Sequence, residues 1–451
     1  MGCAQPATMA RIESGRPTGS ASQEAHGCTD QPTSATPGDG VTSERLDVVV
    51  RRQAGPVLVA AAVLLLAFNL RPAVTSLGAV LDDVREGLGL TATAAGVFTA
   101  LPVVCFAAFG AVAPRLARRF GTAQVIAASV VAIAVGLMAR ALTGSEVAFF
   151  ALTSFALAGM ATGNVLLPAI VKSHFPDAIG RMTGLYTTSI AVGTTAAAAL
   201  TVPIGAIAGG WRGGLFVWGA TAVVALVPWL SIARIERSGP VPDRVGTAVA
   251  SGLRMSRTPL AWALAVYFGS QSIQAYAAFG WLPQVYRDAG FSAATSGLLL
   301  AEVTAVGIPV ALALPALAAR RPDQRLYVVI CVCAFAAGYV GLIAAPERLP
   351  WLWVALLGIG GGSFPLALTM IGLRARSAAV TAQLSGFTQS IGYVGAAGGP
   401  VAVGALYDVT GGWTVPIGLL IALLIPQLVA GWIAAKPGCV EDYAETNEME
   451  R

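Results

Sequence analysis

Residues 89–96 read GLTATAAG, and residues 290–297, 201 positions further along the chain, read GFSAATSG. Other signatures recur in the same order around this pair: PRLA at 114–117 and PALA at 315–318, Ser-Ile at 189–190 and 390–391, and Gly-Trp at 210–211 and 412–413. Chance similarity between apolar helices explains shared Leu and Ala, but it does not explain loop signatures in register. The repeat therefore indicates two related halves that follow one another in the same orientation.

The composition is that of a protein embedded in lipid. Of the 451 residues 56% are hydrophobic and 11% are charged, whereas a soluble domain carries roughly a quarter charged residues. The net charge of +5 therefore does not point to nucleic acid as a partner. Apolar segments of about 20 residues or more suit a hydrocarbon core of ~30 Å. We count twelve of them and number them as spans 1 to 12: 56–78, 93–114, 122–141, 146–171, 182–208, 213–234, 259–284, 294–317, 325–344, 350–373, 380–406 and 413–434.

The spans predict an all-α membrane protein of two six-helix pseudo-repeats, the architecture of the major facilitator superfamily. The predicted parts are a disordered cytoplasmic tail, an N-terminal bundle, a central cytoplasmic loop, a C-terminal bundle and a disordered acidic tail, at 1–50, 51–234, 235–258, 259–434 and 435–451. Eighteen Lys and Arg residues fall on the side of both tails and five on the other side. This bias places both termini in the cytoplasm, and we expect a monomer in the inner (plasma) membrane.

Two ionisable side chains lie deep within apolar spans, Arg71 in the sequence NLRP of span 1 and Glu302 in span 8. Such residues cost about 2.5–3.5 kcal/mol or more in lipid and normally face an interior pathway. Pro72 removes a backbone donor and breaks the helix beside Arg71. A guanidinium there offers up to five donors to a carboxylate-like anion or to nitro oxygens, which predicts a solute-binding site. The alternative is structural, an arginine that snorkels outward or pairs with Glu302; Glu302 is either this counter-charge or a proton carrier.

Amide side chains within the spans are further candidates for substrate binding: Asn69, Asn164, Gln271, Gln274 and Gln389. Gln271 falls close to the place that Asn69 takes in the first half. A hydrogen bond between helices explains Asn164 equally well. Tyr276 of span 7 is a further candidate, and the weaker candidates are Gln389 and Tyr393 of span 11 and Tyr186 of span 5. The spans hold no cluster of His, Cys, Asp or Glu, so we expect no metal, no cofactor and no enzymatic activity.

Five short sequences together resemble the cyanate/2-nitroimidazole transporter family (CynX/NimT) of the major facilitator superfamily: NLRP at 69–72, LPVVCF at 101–106, APRLARRFG at 113–121, GNVLLP at 163–168 and MTGLY at 182–186. The resemblance implies secondary transport of a small polar or anionic solute, as import or efflux. Residues 110–119 also resemble the gating loop G-x-x-x-D-R-x-G-R-R of the superfamily, with Arg115, Arg118 and Arg119 at matching positions. Pro114 stands in place of the acid that makes a charge latch between the halves.

We therefore expect alternating access, in which the two bundles rock about a midplane site formed by spans 1, 4, 7 and 10, with help from spans 5, 8 and 11. A proton is a candidate coupling ion. The alternative within the same superfamily is efflux of drugs or metabolites through a mainly apolar cavity. Three other classes are possible: a membrane enzyme, a channel and a transporter-like sensor. The spans lack the catalytic cluster that an enzyme needs. Flux without saturation would indicate a channel, and the absence of flux would indicate a sensor.

Overall fold

The computed structural model describes residues 55–89, 92–237 and 253–443. Tail 1–50 and residues 238–252 of the central loop lie outside this range. Within it all twelve predicted spans are helical, which confirms the predicted fold class. Spans 1 to 6 are Pro56–Phe68 continued by Pro72–Ala79, Ala92–Phe120, Thr122–Leu142, Glu146–His174, Ile179–Ile207 and Trp211–Arg237. Spans 7 to 12 are Pro259–Asp288, Ala293–Ala318, Arg325–Ala344, Pro350–Gly360 continued by Ser363–Leu373, Ala378–Thr410 and Thr414–Ala434. Short helices at Leu81–Leu88, Pro176–Ala178 and Met255–Arg257 lie between spans.

Ten helices in the described part of the chain are long and apolar enough to cross a membrane by themselves. Spans 7 and 11 do not reach that hydropathy, although they contain 30 and 33 residues. Both carry buried polar side chains, among them Gln274 in span 7 and Gln389 in span 11. The two spans pack against each other, so protein rather than lipid covers these polar groups. Their low hydropathy therefore reflects an interior position.

The two halves meet closely at one end of the bundle, where spans 2, 4, 8 and 10 finish and spans 5 and 11 begin. We call this the terminal end, because the segment after span 12 also lies there. A Cβ on Gly184 of span 5 would lie 2.5 Å from the carbonyl oxygen of Leu312 in span 8. A Cβ on Gly386 of span 11 would lie 2.5 Å from Cγ of Pro114 in span 2. Close helix contact thus occupies the place where the superfamily has an acidic latch residue.

The segment after span 12 docks on the loop between spans 10 and 11. Val440 N–H donates to the carbonyl oxygen of Arg374 at 2.9 Å, and Arg376 N–H donates to the Glu441 carboxylate at 2.7 Å. Val440 is fully buried. The prediction of a disordered tail from residue 435 is therefore wrong for residues 435–443, because this loop supplies hydrogen-bond partners that an isolated acidic tail lacks. The residues after 443 lie outside the described range.

Candidate functional site

Span 1 is interrupted between Phe68 and Pro72, as the proline predicts. Asn69 N–H donates to the carbonyl oxygen of Leu66 in a tight final turn, and the next helix begins with Val74 N–H donating to the carbonyl oxygen of Arg71. Proline suits the first turn of that helix, since its missing N–H would have no helical partner there. Arg71 is thereby held at the junction of two half-helices.

The second break lies in span 10, between Gly360 and Ser363. Span 7, which corresponds to span 1 in the other half, is one continuous helix. The two interrupted spans come from different halves of the protein. Interrupted helices are the usual way in which transporters expose backbone and polar groups at a midplane site.

A cavity of about 490 Å³ lies between the two halves. Its lining extends from Arg71 and Tyr393 at the centre to Leu81 and Phe279, toward the end opposite the terminal end. The close contacts at the terminal end lie on its other side. The cavity therefore extends toward the end opposite the terminal end, and its volume is in the range of small-molecule sites, ~300–1,000 Å³.

Arg71 is the one charged side chain among the described residues that line the cavity. Its Nη2 donates to the hydroxyl of Tyr393, in the other half, at 3.4 Å, and its Cζ lies 5.2 Å from the centre of the Phe106 ring. Tyr276 also lies beside the guanidinium. The ion pairs found between described residues all lie elsewhere. A half-buried cation with neutral neighbours thus faces the cavity, and most of its five N–H donors are available to a solute.

Aromatic rings from both halves hold Tyr393 in place beneath Arg71. Its ring meets Phe106 edge-on with the centres 5.0 Å apart, and Phe268 edge-on at 5.2 Å. Edge-to-face pairs of this kind are favourable beyond the area they bury. The central end of the cavity therefore presents a cation over a firm aromatic base.

Asn69, a predicted ligand, does not line the cavity. Its Nδ2 donates to the carbonyl oxygen of Leu65 at 2.9 Å, and the hydroxyl of Thr221 in span 6 donates to its Oδ1 at 2.8 Å. The side chain is 1% exposed. The amide is therefore committed to holding the break of span 1 against span 6, and this corrects the sequence interpretation.

Asn164 and Gln389, also predicted ligands, bind each other instead. Asn164 Nδ2 donates to Gln389 Oε1 at 2.6 Å, and Gln389 Nε2 donates to the hydroxyl of Ser385 at 2.8 Å. Both amides are buried, outside the cavity lining. Gln389 lies one helical turn closer to the terminal end than Tyr393. The hydrogen bond joins span 4 of one half to span 11 of the other. Asn164 thus makes the hydrogen bond between helices that the sequence left open as an alternative to ligand binding.

Gln271 and Gln274 do line the cavity together with Arg71. The amide of Gln274 is held on both sides, since its Nε2 donates to the carbonyl oxygen of Leu420 at 3.0 Å and the hydroxyl of Tyr339 donates to its Oε1 at 2.9 Å. Gln271 donates to the hydroxyl of its neighbour Ser272. The structure thus brings three of the predicted site residues to one cavity, and Gln271 is the less constrained of the two amides.

Glu302 is half-buried in span 8, and it is not part of the cavity lining. Its Oε2 is buried and has no hydrogen-bond partner among the described residues. The structure does not pair it with Arg71, so the counter-charge interpretation lacks support in this conformation. The gating-loop arginines form the exposed end of span 2, which stays helical to Phe120: Arg115, Arg118 and Arg119. They lie at the terminal end, away from the cavity.

Arg140 is the residue that sequence reasoning missed. Its place two residues before the end of span 3 reads as an interfacial arginine, yet the side chain is 0% exposed. Nothing in the sequence predicts the cation–π contact between Arg71 and Phe106 either. The two tyrosines beside Arg71, Tyr276 and Tyr393, were candidates in the sequence because each is a large side chain with a polar group inside an apolar span.

Comparison with known proteins places this chain among membrane transporters. A sequence profile of the Major Facilitator Superfamily matches residues 57–400. The chain is 37% identical to the uncharacterized transporter YycB of Bacillus subtilis (strain 168), over 86% of this chain and 95% of that protein. It is 33% identical to the 2-nitroimidazole transporter of Escherichia coli (strain K12), over 84% and 96%, and 31% identical to the cyanate transport protein CynX of the same organism, over 77% and 90%. The solved structure of the proton:xylose symporter XylE matches with a TM-score of 0.68 at 12% identity, over 87% of this chain and 98% of that one.

Proposed function

Because this chain belongs to the Major Facilitator Superfamily, and is thus a multi-pass membrane transporter and not an enzyme, we propose that it carries a small polar or anionic solute through the cavity at Arg71. The relatives confirm the family resemblance seen in the sequence. The observation that carries the proposed substrate class is Arg71, the one cation among the described residues that line the cavity, together with its neutral surroundings. Its cargo would resemble those named for the relatives, cyanate and 2-nitroimidazole.

A half-buried guanidinium with no carboxylate partner among the described residues favours an anionic or strongly polar ligand. Removing a cation from water costs several kcal/mol unless an opposite charge and hydrogen bonds compensate. A carboxylate, a linear anion or a nitro group supplies oxygens or nitrogens that accept two of the guanidinium N–H groups at once. The hydroxyls of Tyr393 and Tyr276 would stand in for such acceptors while the site is empty. Solute binding would then replace a contact between the halves by a contact through the solute.

Alternating access follows from the position of the cavity. We place the terminal end in the cytoplasm on the basis of the positive-inside rule, so the conformation described here faces outward across the inner membrane. Opening the cytoplasmic side requires separation of span 5 from span 8 and of span 2 from span 11. Glu302, whose buried Oε2 has no hydrogen-bond partner in the described part of the chain, is our candidate for proton coupling, and the transporter would act as a monomer.

Efflux of larger drugs or metabolites is the second candidate function. Most of the cavity lining is apolar, including Leu357, Phe335 and Phe364 in the C-terminal half. Such a surface suits amphipathic solutes that bury apolar area. Competition experiments separate the two proposals, because small anions would compete only in the first case.

Uptake by proteoliposomes tests the proposed function. Wild-type protein should take up labelled cyanate or 2-nitroimidazole with saturation and counterflow, and Arg71→Ala should abolish this uptake while the purified protein remains monodisperse. Arg212→Ala is the matched control, since Arg212 donates to the backbone carbonyls of Ala141 and Thr143 at the end opposite the termini and does not line the cavity. Unchanged uptake by Arg71→Ala would place the site elsewhere, and competition by large amphipathic compounds alone would favour efflux.

A further inference from the structure

A second guanidinium lies directly behind the cavity wall. Arg140 of span 3 donates from Nη1 to the carbonyl oxygen of Ala73 and from Nη2 to the hydroxyl of Ser76, each at 3.1 Å. Both acceptors belong to the second half-helix of span 1, which starts beside Arg71. The Cζ of Arg140 lies 6.0 Å from the centre of the Phe149 ring.

Arg140 has no counter-charge among the described residues. Its two hydrogen-bond acceptors are neutral, its Nε has no partner, and the ion pairs lie elsewhere. Guanidinium keeps its charge in proteins, and a fully buried cation without a carboxylate is unfavourable by several kcal/mol. A neutral side chain could brace span 1 without this cost. The burial of a charge here therefore suggests a use for the charge itself.

A thin layer of protein separates this charge from the cavity. Ala73, whose carbonyl oxygen receives the bond from Arg140, is itself a lining residue. Arg71 and Arg140 both belong to the N-terminal half, and the described lining residues include no carboxylate to offset them. Ala73 and Ser76, which lie between Arg140 and the cavity, are buried, so the field is screened less than it would be at a solvent-exposed surface.

We propose that Arg140 is a specificity-determining residue that acts through space: a buried second positive charge that makes the cavity prefer anions over neutral solutes without touching them. This inference rests on the proposed transport function. We take the separation between the guanidinium and a solute atom on the cavity side of Ala73 as roughly 8 Å, about two van der Waals contact distances. At an effective dielectric constant of about 20, two unit charges at that distance change a binding constant by roughly tenfold to thirtyfold. A neutral solute of similar size experiences little of this effect.

Two variants test the proposal, one by removing the positive charge of Arg140 and the other by neutralising it with an added carboxylate. Arg140→Gln removes the cation, whereas Ser76→Asp keeps it and places a carboxylate within ion-pair distance. The half-saturation concentration is measured in proteoliposomes for cyanate, an anion, and for 2-nitroimidazole at a mildly acidic pH where it is neutral. Both variants should raise the value for cyanate about tenfold or more and leave that for 2-nitroimidazole within about twofold. Ser76→Ala, which loses one hydrogen bond and keeps the charge, and Arg320→Gln, which removes an exposed cation at the terminal end, should change neither value.

The ratio of the half-saturation concentrations for cyanate and 2-nitroimidazole distinguishes an electrostatic role of Arg140 from a purely structural one. An equal loss of affinity for cyanate and 2-nitroimidazole in Ser76→Asp and Arg140→Gln would show that Arg140 only positions span 1, and unchanged affinity for cyanate would show that its charge does not reach the site. Either result overturns the proposal. If Arg140→Gln does not fold, Ser76→Asp decides alone, because its buried charges are paired. If wild-type protein takes up neither solute, the proposed substrate class falls first and this inference falls with it.

Discussion

Replacing Gly386 in span 11 by alanine should drive the protein out of the conformation described here. A Cβ at this position would lie 2.5 Å from Cγ of Pro114 and 2.9 Å from the carbonyl oxygen of Gly110. Carbon atoms in contact normally stay about 3.5–4.0 Å apart. Neither neighbour can rotate away, since one is a proline ring and the other is helix backbone. Spans 2 and 11 must therefore separate by about 1 Å at the terminal end.

The size of the effect follows from the conformation in which the clash occurs. Overpacking of this kind costs about 1–3 kcal/mol, and the cost applies only while the two halves are in contact at the terminal end. The higher helix propensity of alanine, worth up to ~1 kcal/mol over glycine, acts in both conformations and cancels. Since about 1.4 kcal/mol is a factor of ten, the population open at the terminal end should rise about fivefold to 150-fold.

Distance measurement between spin labels would detect this shift. Labels at Arg119 and Arg320 occupy exposed positions in different halves at the terminal end, and Gly386→Ala should lengthen the distance between them. Gly398→Ala is the matched control, because a Cβ on Gly398, in the same span, meets nothing within 4 Å. A folded Gly386→Ala protein with the wild-type distance distribution would refute the reasoning. An equal shift in Gly398→Ala would assign the effect to the helix rather than to the contact.

Three further outcomes are expected. Asn69→Ala removes the hydrogen bonds to the Leu65 carbonyl and the Thr221 hydroxyl and leaves both groups unsatisfied. The free energy of unfolding should fall by about 1–3 kcal/mol, seen as a lower melting temperature, while the half-saturation concentration for the solute stays unchanged. A changed half-saturation concentration would show that Asn69 is a ligand. Gln389→Leu removes the hydrogen-bond acceptor of the buried Asn164 amide and so weakens the contact between spans 4 and 11. The distance between the terminal-end labels should therefore increase, and an unaltered distance distribution would contradict this. Burial raises the pKa of Glu441 above its ordinary value, so its contribution to stability is present below the unfolded-state pKa and is lost as the pH rises through the folded-state pKa. Glu441→Gln should therefore show a melting temperature less dependent on pH across that range than wild-type protein does, and equal pH dependence would show that this carboxyl group is not involved.

Local signals in the sequence were sufficient for the spans and for the break at Arg71. Hydropathy over a window of about 20 residues identifies a helix in lipid because the bilayer has a fixed thickness. Pro72 acts on its own helix, so its effect does not depend on the rest of the fold. The pairing of two six-span halves came from the 201-residue offset, which is a property of the chain as a whole.

The roles of the amides depended on tertiary contacts that no local pattern reveals. Asn69 binds Thr221, 152 residues away in the sequence, and Asn164 binds Gln389, 225 residues away. A buried amide is equally costly whether it serves a ligand or another helix, so residue type alone could not separate the two uses. The position of Arg140 near the end of span 3 favoured an interfacial interpretation. The half-helix that covers Arg140 belongs to span 1, so no pattern within span 3 indicates that the side chain is buried.

The limited hydropathy of spans 7 and 11 has a consequence for biogenesis. A segment partitions from the translocon into lipid by itself only when its apolar side chains outweigh its polar ones. Spans 7 and 11 fall short of the hydropathy that the other ten reach, while they contact each other and span 12. Span 7 emerges from the ribosome long before either partner. It must therefore be retained beside the insertion machinery until spans 11 and 12 arrive, which makes integration of the C-terminal half a late and cooperative event.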